Sequence, residues 1–303
     1  MKKIEERKFI ALFYGFIFTF FASTSVVLAN YFLNYEFINE SFLRGNGIPM
    51  PYSHIRYTLM LTFALFAAVY LWSTKIYLIN AAEKWLQLFF IVFSFLSLHV
   101  LAVRSALLAL YISLLLVVIQ YAVVRKKFLQ SVGILAGLSI VLFIAIEYVP
   151  SLHNKLGFMN YDRIMYEKGQ VKNLTDGIRI ASIKGALEIA KENFWLGIGA
   201  GDLRNEMNNF YNQHYPEIPA SDHKLPHNQF VWILATTGIS GLLFFLFAFF
   251  FPFFYKGNYK HWLFVVFHLI LFSSFITEAT LEEQMGTAFY LIFLLLLMNH
   301  FKK

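Results

Sequence analysis

The sequence predicts an all-α polytopic membrane protein with about eight transmembrane helices and one large external loop. Of its 303 residues, 58% are hydrophobic, 19% are aromatic and only 14% are charged, which is far more apolar than an ordinary soluble domain. Apolar runs long enough to cross a hydrocarbon core of about 30 Å recur along the chain. The net charge of +7 fits Lys and Arg gathered at cytoplasmic span ends, so it requires no nucleic-acid partner.

The apolar runs divide the chain into three regions. Residues 1–149 carry the first five spans, residues 150–227 form the external loop, and residues 228–303 carry the last three spans. The first run is too long for the apolar region of a signal peptide, so we interpret it as an uncleaved span. The predicted spans are Phe9–Leu33, Tyr57–Trp72, Trp85–Val103, Ser105–Val124, Phe128–Val149, Asn228–Tyr255, Trp262–Ile276 and Thr287–Asn299.

The orientation follows from the basic residues in the connections. Most Lys and Arg residues, including Lys2, Lys3, Lys302 and Lys303, lie on one side, and the short loops of the other side carry only Arg44, Arg56 and Arg104. Basic residues favour the cytoplasmic side, although long translocated loops escape this rule. We therefore expect cytoplasmic termini and an external loop outside the membrane. The chain has no cysteine, which excludes disulfide and thiolate chemistry.

The external loop contains a predicted amphipathic helix, from Gly177 to about Asn193, with Asp176 as its N-cap. An apolar arc is predicted to face the membrane domain, and it comprises Ile180, Ile183, Leu187 and Ala190. Arg179 stands outside the charged arc, beside that apolar side. It either extends to lipid headgroups or points its guanidinium group into an anion pocket.

Arg104 raises the same question more strongly, because it interrupts an apolar stretch at the outer end of the fourth span. A cation at mid-membrane costs about 2.5–3.5 kcal/mol on insertion scales, and less near an interface. A headgroup contact explains it, and so does a buried site for phosphate or pyrophosphate. The two arginines together suit a lipid diphosphate.

His227 is the candidate base. Pro226-His227-Asn228 is predicted to open the sixth span, which places the imidazole at the outer interface. An imidazole can accept a proton from a sugar hydroxyl near neutral pH, and Asn228 would orient the imidazole or the acceptor. The alternative is a histidine that only satisfies local hydrogen bonds.

Zinc binding is a rival interpretation of this region, and its ligands would be His214, Asp222, His223 and His227. Pro226 opposes a continuous helix between the last two histidines, and no His-Glu-x-x-His pattern is present. The sequence therefore favours a site without metal.

A glycine-rich segment, Gly197-Ile-Gly-Ala-Gly201, follows the external helix. Its backbone N–H groups could cradle a phosphate, but no Lys-Ser/Thr pair follows. A tight turn explains its first glycine equally well.

Together these residues resemble the O-antigen ligase superfamily, which also holds O-antigen polymerases and protein O-oligosaccharyltransferases. The superfamily motif is His followed by Asn, Ser or Gln, then nine residues, Gly, two residues, and finally Gly, Thr or Tyr. Here it is matched by His227-Asn228, QFVWILATT and Gly238-Ile-Ser-Gly241. The segments VRSALLAL and DGIRIASIKGALEIAKENFWLGIGAG also resemble superfamily segments, and the resemblance covers about Leu98 to Leu295.

The resemblance implies a GT-C-like, metal-independent glycosyltransferase that needs no cofactor and lies in a bacterial inner membrane. It would move a glycan from undecaprenyl pyrophosphate to an acceptor hydroxyl on the periplasmic face, with lipid A core or another glycan as acceptor and membrane lipids as partners. Arg104 and Arg179 would hold the pyrophosphate, and His227 would act as base or acceptor guide. The expected substrate-binding residues are Asn228, Gly199, Gly201 and Arg56.

Three other functions remain open. The chain could be a polysaccharide polymerase of the same superfamily, although we favour a ligase. It could be a metal-dependent glycosyltransferase that uses Glu36 and Glu40 of the first external loop. It could also be a polysaccharide exporter or a lipid-binding protein without transferase activity.

Overall fold

The structure is a computed structural model that describes residues 5–42, 45–168 and 174–301. Over these ranges the chain forms twelve α-helices and short 3-10 turns, with no β-strand. Lys2, Lys3, Arg44, Lys302 and Lys303, which entered the charge count, lie outside these ranges. The helices are α1 (Glu6–Leu33), α2 (Tyr35–Phe42), α3 (His54–Thr74), α4 (Glu83–Leu101), α5 (Arg104–Arg125), α6 (Phe128–Tyr148), α7 (Pro150–Glu167), α8 (Thr175–Glu192), α9 (Leu203–His214), α10 (Gln229–Phe254), α11 (Trp262–Thr277) and α12 (Gln284–His300).

Each predicted span coincides with one helix, but the count of eight spans is not confirmed. Within the described ranges, six helices are long and apolar enough to cross a membrane: α1, α3, α4, α5, α6 and α10. The apolar helices α11 and α12 have only 16 and 17 residues, whereas an untilted crossing takes about 20.

The chain divides into two compact units. The first comprises residues 1–155, 253–273 and 288–303. Its centre is α3, which is buried along most of its length and packs against α1, α4 and α5. The Phe63 ring of α3 is fully buried among other aromatic rings, including those of Phe13, Phe267 and Phe293.

A two-residue connection, Ala102 and Val103, joins α4 to α5. Helix α4 ends at Leu101, Ala102 takes a left-handed φ of 53°, Val103 is extended, and Arg104 is the first residue of α5. Because the connection is so short, α5 begins beside the end of α4. Arg104 therefore lies at a helix start, as the sequence predicted.

The second unit comprises residues 156–252 and 274–287. The predicted external loop, residues 150–227, carries the three helices α7, α8 and α9, where the sequence predicted only α8.

The sequence also missed helix α2, which belongs to the first unit. Its exposed Glu36 and Glu40 therefore lie on a helix rather than on an irregular loop.

The predicted apolar arc of α8 is buried only in part. Ala190 is 2% exposed, but Ile180 and Leu187 are 38% and 45% exposed, and the rest of the buried face carries small residues such as Ala181 and Gly185. Small residues let another helix approach closely, and a Cβ atom built on Gly185 would lie 2.5 Å from the Phe210 ring of α9. Close packing of α8 against α9 therefore decides which face is buried.

The predicted N-cap of α8 is also wrong. The helix begins at Thr175, so Asp176 lies in its first turn. The cap comes from α7 instead, because the Asp162 carboxylate accepts the backbone N–H groups of Asp176 and Gly177 at 2.9 and 3.4 Å. Asp162 is only 1% exposed, and its negative charge suits the positive end of the helix dipole.

Candidate functional site

A carboxylate holds the imidazole of His227. The Nδ1 atom lies 3.1 Å from Oε1 of Glu278, and the two side chains are 21% and 12% exposed. An ionised carboxylate only accepts hydrogen bonds, so beside it Nδ1 carries the proton and Nε2 holds the lone pair. This tautomer is the one in which an imidazole can take a proton from a hydroxyl group.

Asn228 is the N-cap of α10. Its side-chain oxygen accepts the N–H of Val231 at 3.0 Å, and its side-chain amide donates to the carbonyl oxygen of Ile276 at 3.0 Å. Pro226 and His227 therefore lie before α10, because the helix starts at Gln229, after the capping residue. Asn228 fixes the start of α10 to the end of α11, and its role in substrate binding stays a prediction.

Gln229 anchors the segment that carries Glu278. Its side chain is fully buried, donates to the Glu282 carboxylate at 2.7 Å and accepts the N–H of Leu281 at 2.8 Å. The hydroxyl groups of Ser274 and Thr280 also contact each other across this segment. These bonds hold the residues on both sides of Glu278, so its carboxylate has a fixed position next to His227.

The environment of Glu282 changes its acidity. Partial desolvation of the carboxyl group raises its pKa, although the residue keeps contact with solvent, and the hydrogen bond from Gln229 acts in the opposite direction. The desolvation effect is the larger. Glu278 and Glu282 are thus two carboxylates with different neighbours, one beside an imidazole and one beside an amide.

Two glycines join the turn after α8 to α10. Gly197 and Gly238 both have a φ of 66°, and Gly238 breaks the regular geometry of α10. A Cβ atom on Gly197 would lie 2.3 Å from the backbone of Thr236, and one on Gly238 would lie 2.4 Å from the backbone of Trp195. The two backbones thus touch where only glycine fits.

Hydrogen bonds complete this junction. The N–H groups of Ile198 and Gly199 donate to the carbonyl oxygens of Ala235 and Thr236 at 3.1 and 2.8 Å. In return, the N–H of Ile239 donates to the carbonyl oxygen of Phe194 at 2.8 Å. Two residues of the glycine-rich segment, Gly197 and Gly199, therefore take part in the backbone contact with α10.

Gly199 and Gly201 differ from Gly197. Both are exposed, and a Cβ atom on either would meet no atom within 4 Å, although Gly199 has a φ of 86°. Space for a ligand exists beside them. Their predicted role in substrate binding stays a prediction.

The three predicted arginines occupy different settings. Arg179, the fifth residue of α8, is half-buried and belongs to the same unit as His227. Arg104 is half-buried at the start of α5, and Arg56 is 5% exposed in the first turn of α3; both belong to the first unit. Their convergence with His227 in one pocket stays a prediction.

The histidines of the rival zinc site have other partners. His223 is buried, contacts the Asn208 side chain and the carbonyl oxygen of Ile218, and stacks on Tyr211. His214 stacks on Phe210. Over the described ranges, no group of three or more His, Cys, Asp or Glu side chains is placed to hold a metal ion. Metal independence itself stays a prediction.

Residues 89–246, slightly more than half of the chain, match the protein-family model described as O-antigen ligase. The chain belongs to the O-antigen ligase family. No curated protein shows a significant match to it. The matched range contains Arg104, Arg179, His227 and the glycine pair Gly197 and Gly238. This O-antigen ligase family member is thus a ligase- or polymerase-type protein of the superfamily, whose substrates are lipid-linked glycans.

Sequence analysis missed Glu278, Gln229 and Glu282. Two of them lie in Glu278-Ala-Thr-Leu-Glu282, a short acidic stretch between two apolar segments. This acidic interruption of an otherwise apolar region is the sequence signal that could have drawn attention to them. The motif ends at Gly241 and the family match ends at residue 246, so neither includes this stretch.

Proposed function

We propose that this O-antigen ligase family member transfers a glycan from undecaprenyl pyrophosphate to a hydroxyl group of lipid A core, on the periplasmic face of a bacterial inner membrane. The observation that carries the proposal is the His227–Glu278 pair, with 3.1 Å between Nδ1 and the carboxylate. It equips His227 to act as a general base toward an acceptor hydroxyl. The family match supports the class of donor.

In the proposed reaction, the acceptor oxygen attacks the anomeric carbon of the donor glycan as its proton passes to Nε2 of His227. The bond between that carbon and the pyrophosphate oxygen breaks, and undecaprenyl pyrophosphate leaves. Arg104 and Arg179 would stabilise the charge that develops on the leaving group, which favours the transition state over the ground state. Glu278 would keep the imidazole in the required tautomer.

The test is transfer by the full chain in membranes that hold a lipid-linked glycan and lipid A core. We expect His227→Ala to lower the rate by about 10²–10⁴-fold, and Arg104→Ala or Arg179→Ala by about 10²–10³-fold. Matched controls are Arg163→Ala on an exposed face of α7 and His214→Ala at the end of α9, which should transfer normally.

Normal transfer by all three site variants would contradict the proposal. Growth of lipid-linked chains without attachment to lipid A core would indicate a polymerase rather than a ligase. The type of reaction, glycan transfer, would be the same. Loss of activity on chelation would favour the metal-dependent alternative, and export without transfer would favour the exporter.

A further inference from the structure

The turn between α8 and α9 exposes three large apolar side chains in succession. Phe194, Trp195 and Leu196 are 46%, 73% and 78% exposed. A soluble loop of a translocated segment has no reason to present such a cluster to water. The attachment of this turn to α10 indicates what covers the three side chains.

The position at which the turn contacts α10 can be given as a distance along the helix from its C-terminal end. It contacts the backbone of α10 at residues 235–239, around the break at Gly238. At about 1.5 Å per residue, the stretch Ile239–Phe254 is about 24 Å long, and the exposed Lys256 follows it. The hydrocarbon core of a bilayer is about 30 Å thick. If α10 crosses a bilayer from the Lys256 end, the break at Gly238 therefore lies at the edge of the hydrocarbon or just inside it.

Five backbone polar groups of the turn have the partners that such a place requires. Irregular backbone persists at membrane depth only where its polar groups find partners within the protein. The N–H groups of Gly197, Ile198 and Gly199 all donate to backbone carbonyls. The carbonyl oxygens of Phe194 and Trp195 accept from the Ile239 N–H and the Ser240 hydroxyl.

Helix α10 also exposes large apolar side chains on the C-terminal side of the break. Below the break, Leu243, Phe244 and Phe247 are 60%, 74% and 64% exposed, as expected of side chains that face acyl chains. Trp is enriched at the boundary between headgroups and hydrocarbon. Trp195 has both the chemistry and the depth for that boundary.

We propose that Phe194, Trp195 and Leu196 form a membrane-inserted tip, which enters the bilayer beside α10 and anchors the segment between α8 and α9 to the lipid. The partner is the acyl-chain boundary of the membrane that α10 crosses. This proposal concerns membrane depth and does not rest on the proposed glycan transfer.

The test uses the absence of native cysteine. Spin labels are attached to single cysteines in the full chain, reconstituted in phosphatidylethanolamine and phosphatidylglycerol vesicles. Their collision rates with oxygen, which concentrates in lipid, are compared with those of a water-soluble nickel complex. The tip variants are Leu196→Cys and Trp195→Cys. Phe244→Cys on α10 is the lipid control, and Glu206→Cys on the exposed face of α9 is the water control.

We expect both tip labels to collide with oxygen more than with the nickel complex, as at Phe244, and the Glu206 label to show the reverse. Tip labels that match the Glu206 label would overturn the proposal. A Phe244 label accessible to the nickel complex would also overturn it, because α10 would then not be in lipid.

Discussion

At the scale of single residues, the orientation of one imidazole decides whether His227 can act as a base. Its Nδ1 is engaged by Glu278, and the Gln229 bonds hold the segment around that carboxylate. The reactive lone pair is therefore set by a residue that touches no substrate in the proposed reaction. Glu278 is a positioning residue, and its effect is separable from binding.

Glu278→Gln should lower kcat of glycan transfer by about 10²–10⁴-fold with little change in KM for the donor. The side-chain amide of glutamine can donate to Nδ1, which would leave the proton on Nε2. Glu278→Asp should recover part of the rate. The control is Glu188→Gln, on the exposed side of α8. If the fall in kcat of Glu278→Gln were accompanied by a matching fall in its unfolding temperature, and Glu278→Asp recovered neither, the role of Glu278 would be purely structural.

Tyr211 gives a prediction for alkaline pH. Burial raises its pKa to about 12, so the folded protein keeps the phenol neutral while the unfolded chain ionises near pH 10. The folded state then binds more protons, and stability falls as pH rises from about 10 to 12. Below pH 10 this effect is absent.

Tyr211→Phe removes both this effect and a 3.3 Å hydrogen bond to the carbonyl oxygen of Ile178. The variant should be less stable than wild type by about 1 kcal/mol at pH 8, and the difference should vanish near pH 11, where ionisation costs wild type about 1.4 kcal/mol. Thermal unfolding in detergent measures both. The control is Tyr161→Phe, which is 52% exposed; a pH-independent difference for Tyr211→Phe would contradict the argument.

At the scale of helices and turns, four glycines test the junction of the α8 turn with α10. Gly197 and Gly238 combine a positive φ with no room for a Cβ atom, Gly199 has a positive φ with room for one, and Gly201 has room and no positive φ. Gly201→Ala should change stability by less than about 0.5 kcal/mol, and Gly199→Ala should cost about 1 kcal/mol from strain.

Gly197→Ala and Gly238→Ala should cost more, by several kcal/mol or loss of folding, because a methyl group meets backbone that cannot move aside. The amount of folded protein in detergent and its unfolding temperature rank the four alanine variants by stability. Equal effects at all four positions would show that contact with α10 is unimportant. A raised KM in Gly201→Ala, with unchanged stability, would support a role in substrate binding.

The sequence predicted helices better than it predicted contacts between them. All eight apolar runs became helices near their predicted bounds, because hydrophobic length alone fixes them. The buried face of α8 was predicted only in part, since Ala190 is buried as expected, while Ile180 stays exposed and Gly185 packs against α9. His227 was found through its motif. Glu278 was not, because it meets His227 only through folding, 51 residues farther along the chain.

At the scale of the whole molecule, the charge asymmetry of the connections makes a prediction about topology. The chain has no native cysteine, so single cysteines introduced into the full chain can be probed with a membrane-impermeant maleimide. Glu206→Cys, on α9 of the external segment, should react in intact spheroplasts. Lys126→Cys, between α5 and α6, should react only after the membrane is opened. The opposite pattern would invert the proposed orientation and place His227 on the cytoplasmic side.

The break at Gly238 has a consequence for biosynthesis. The carbonyl groups of Ala235 and Thr236 accept hydrogen bonds from the backbone amides of residues 198 and 199. Those two residues leave the ribosome before α10 does. If α10 entered the bilayer without that turn, these two carbonyl groups would lack hydrogen-bond donors in the membrane. Translocation of the segment before α10 and integration of α10 itself thus become one coupled step, and a delay in either should expose the unfinished chain to membrane proteases.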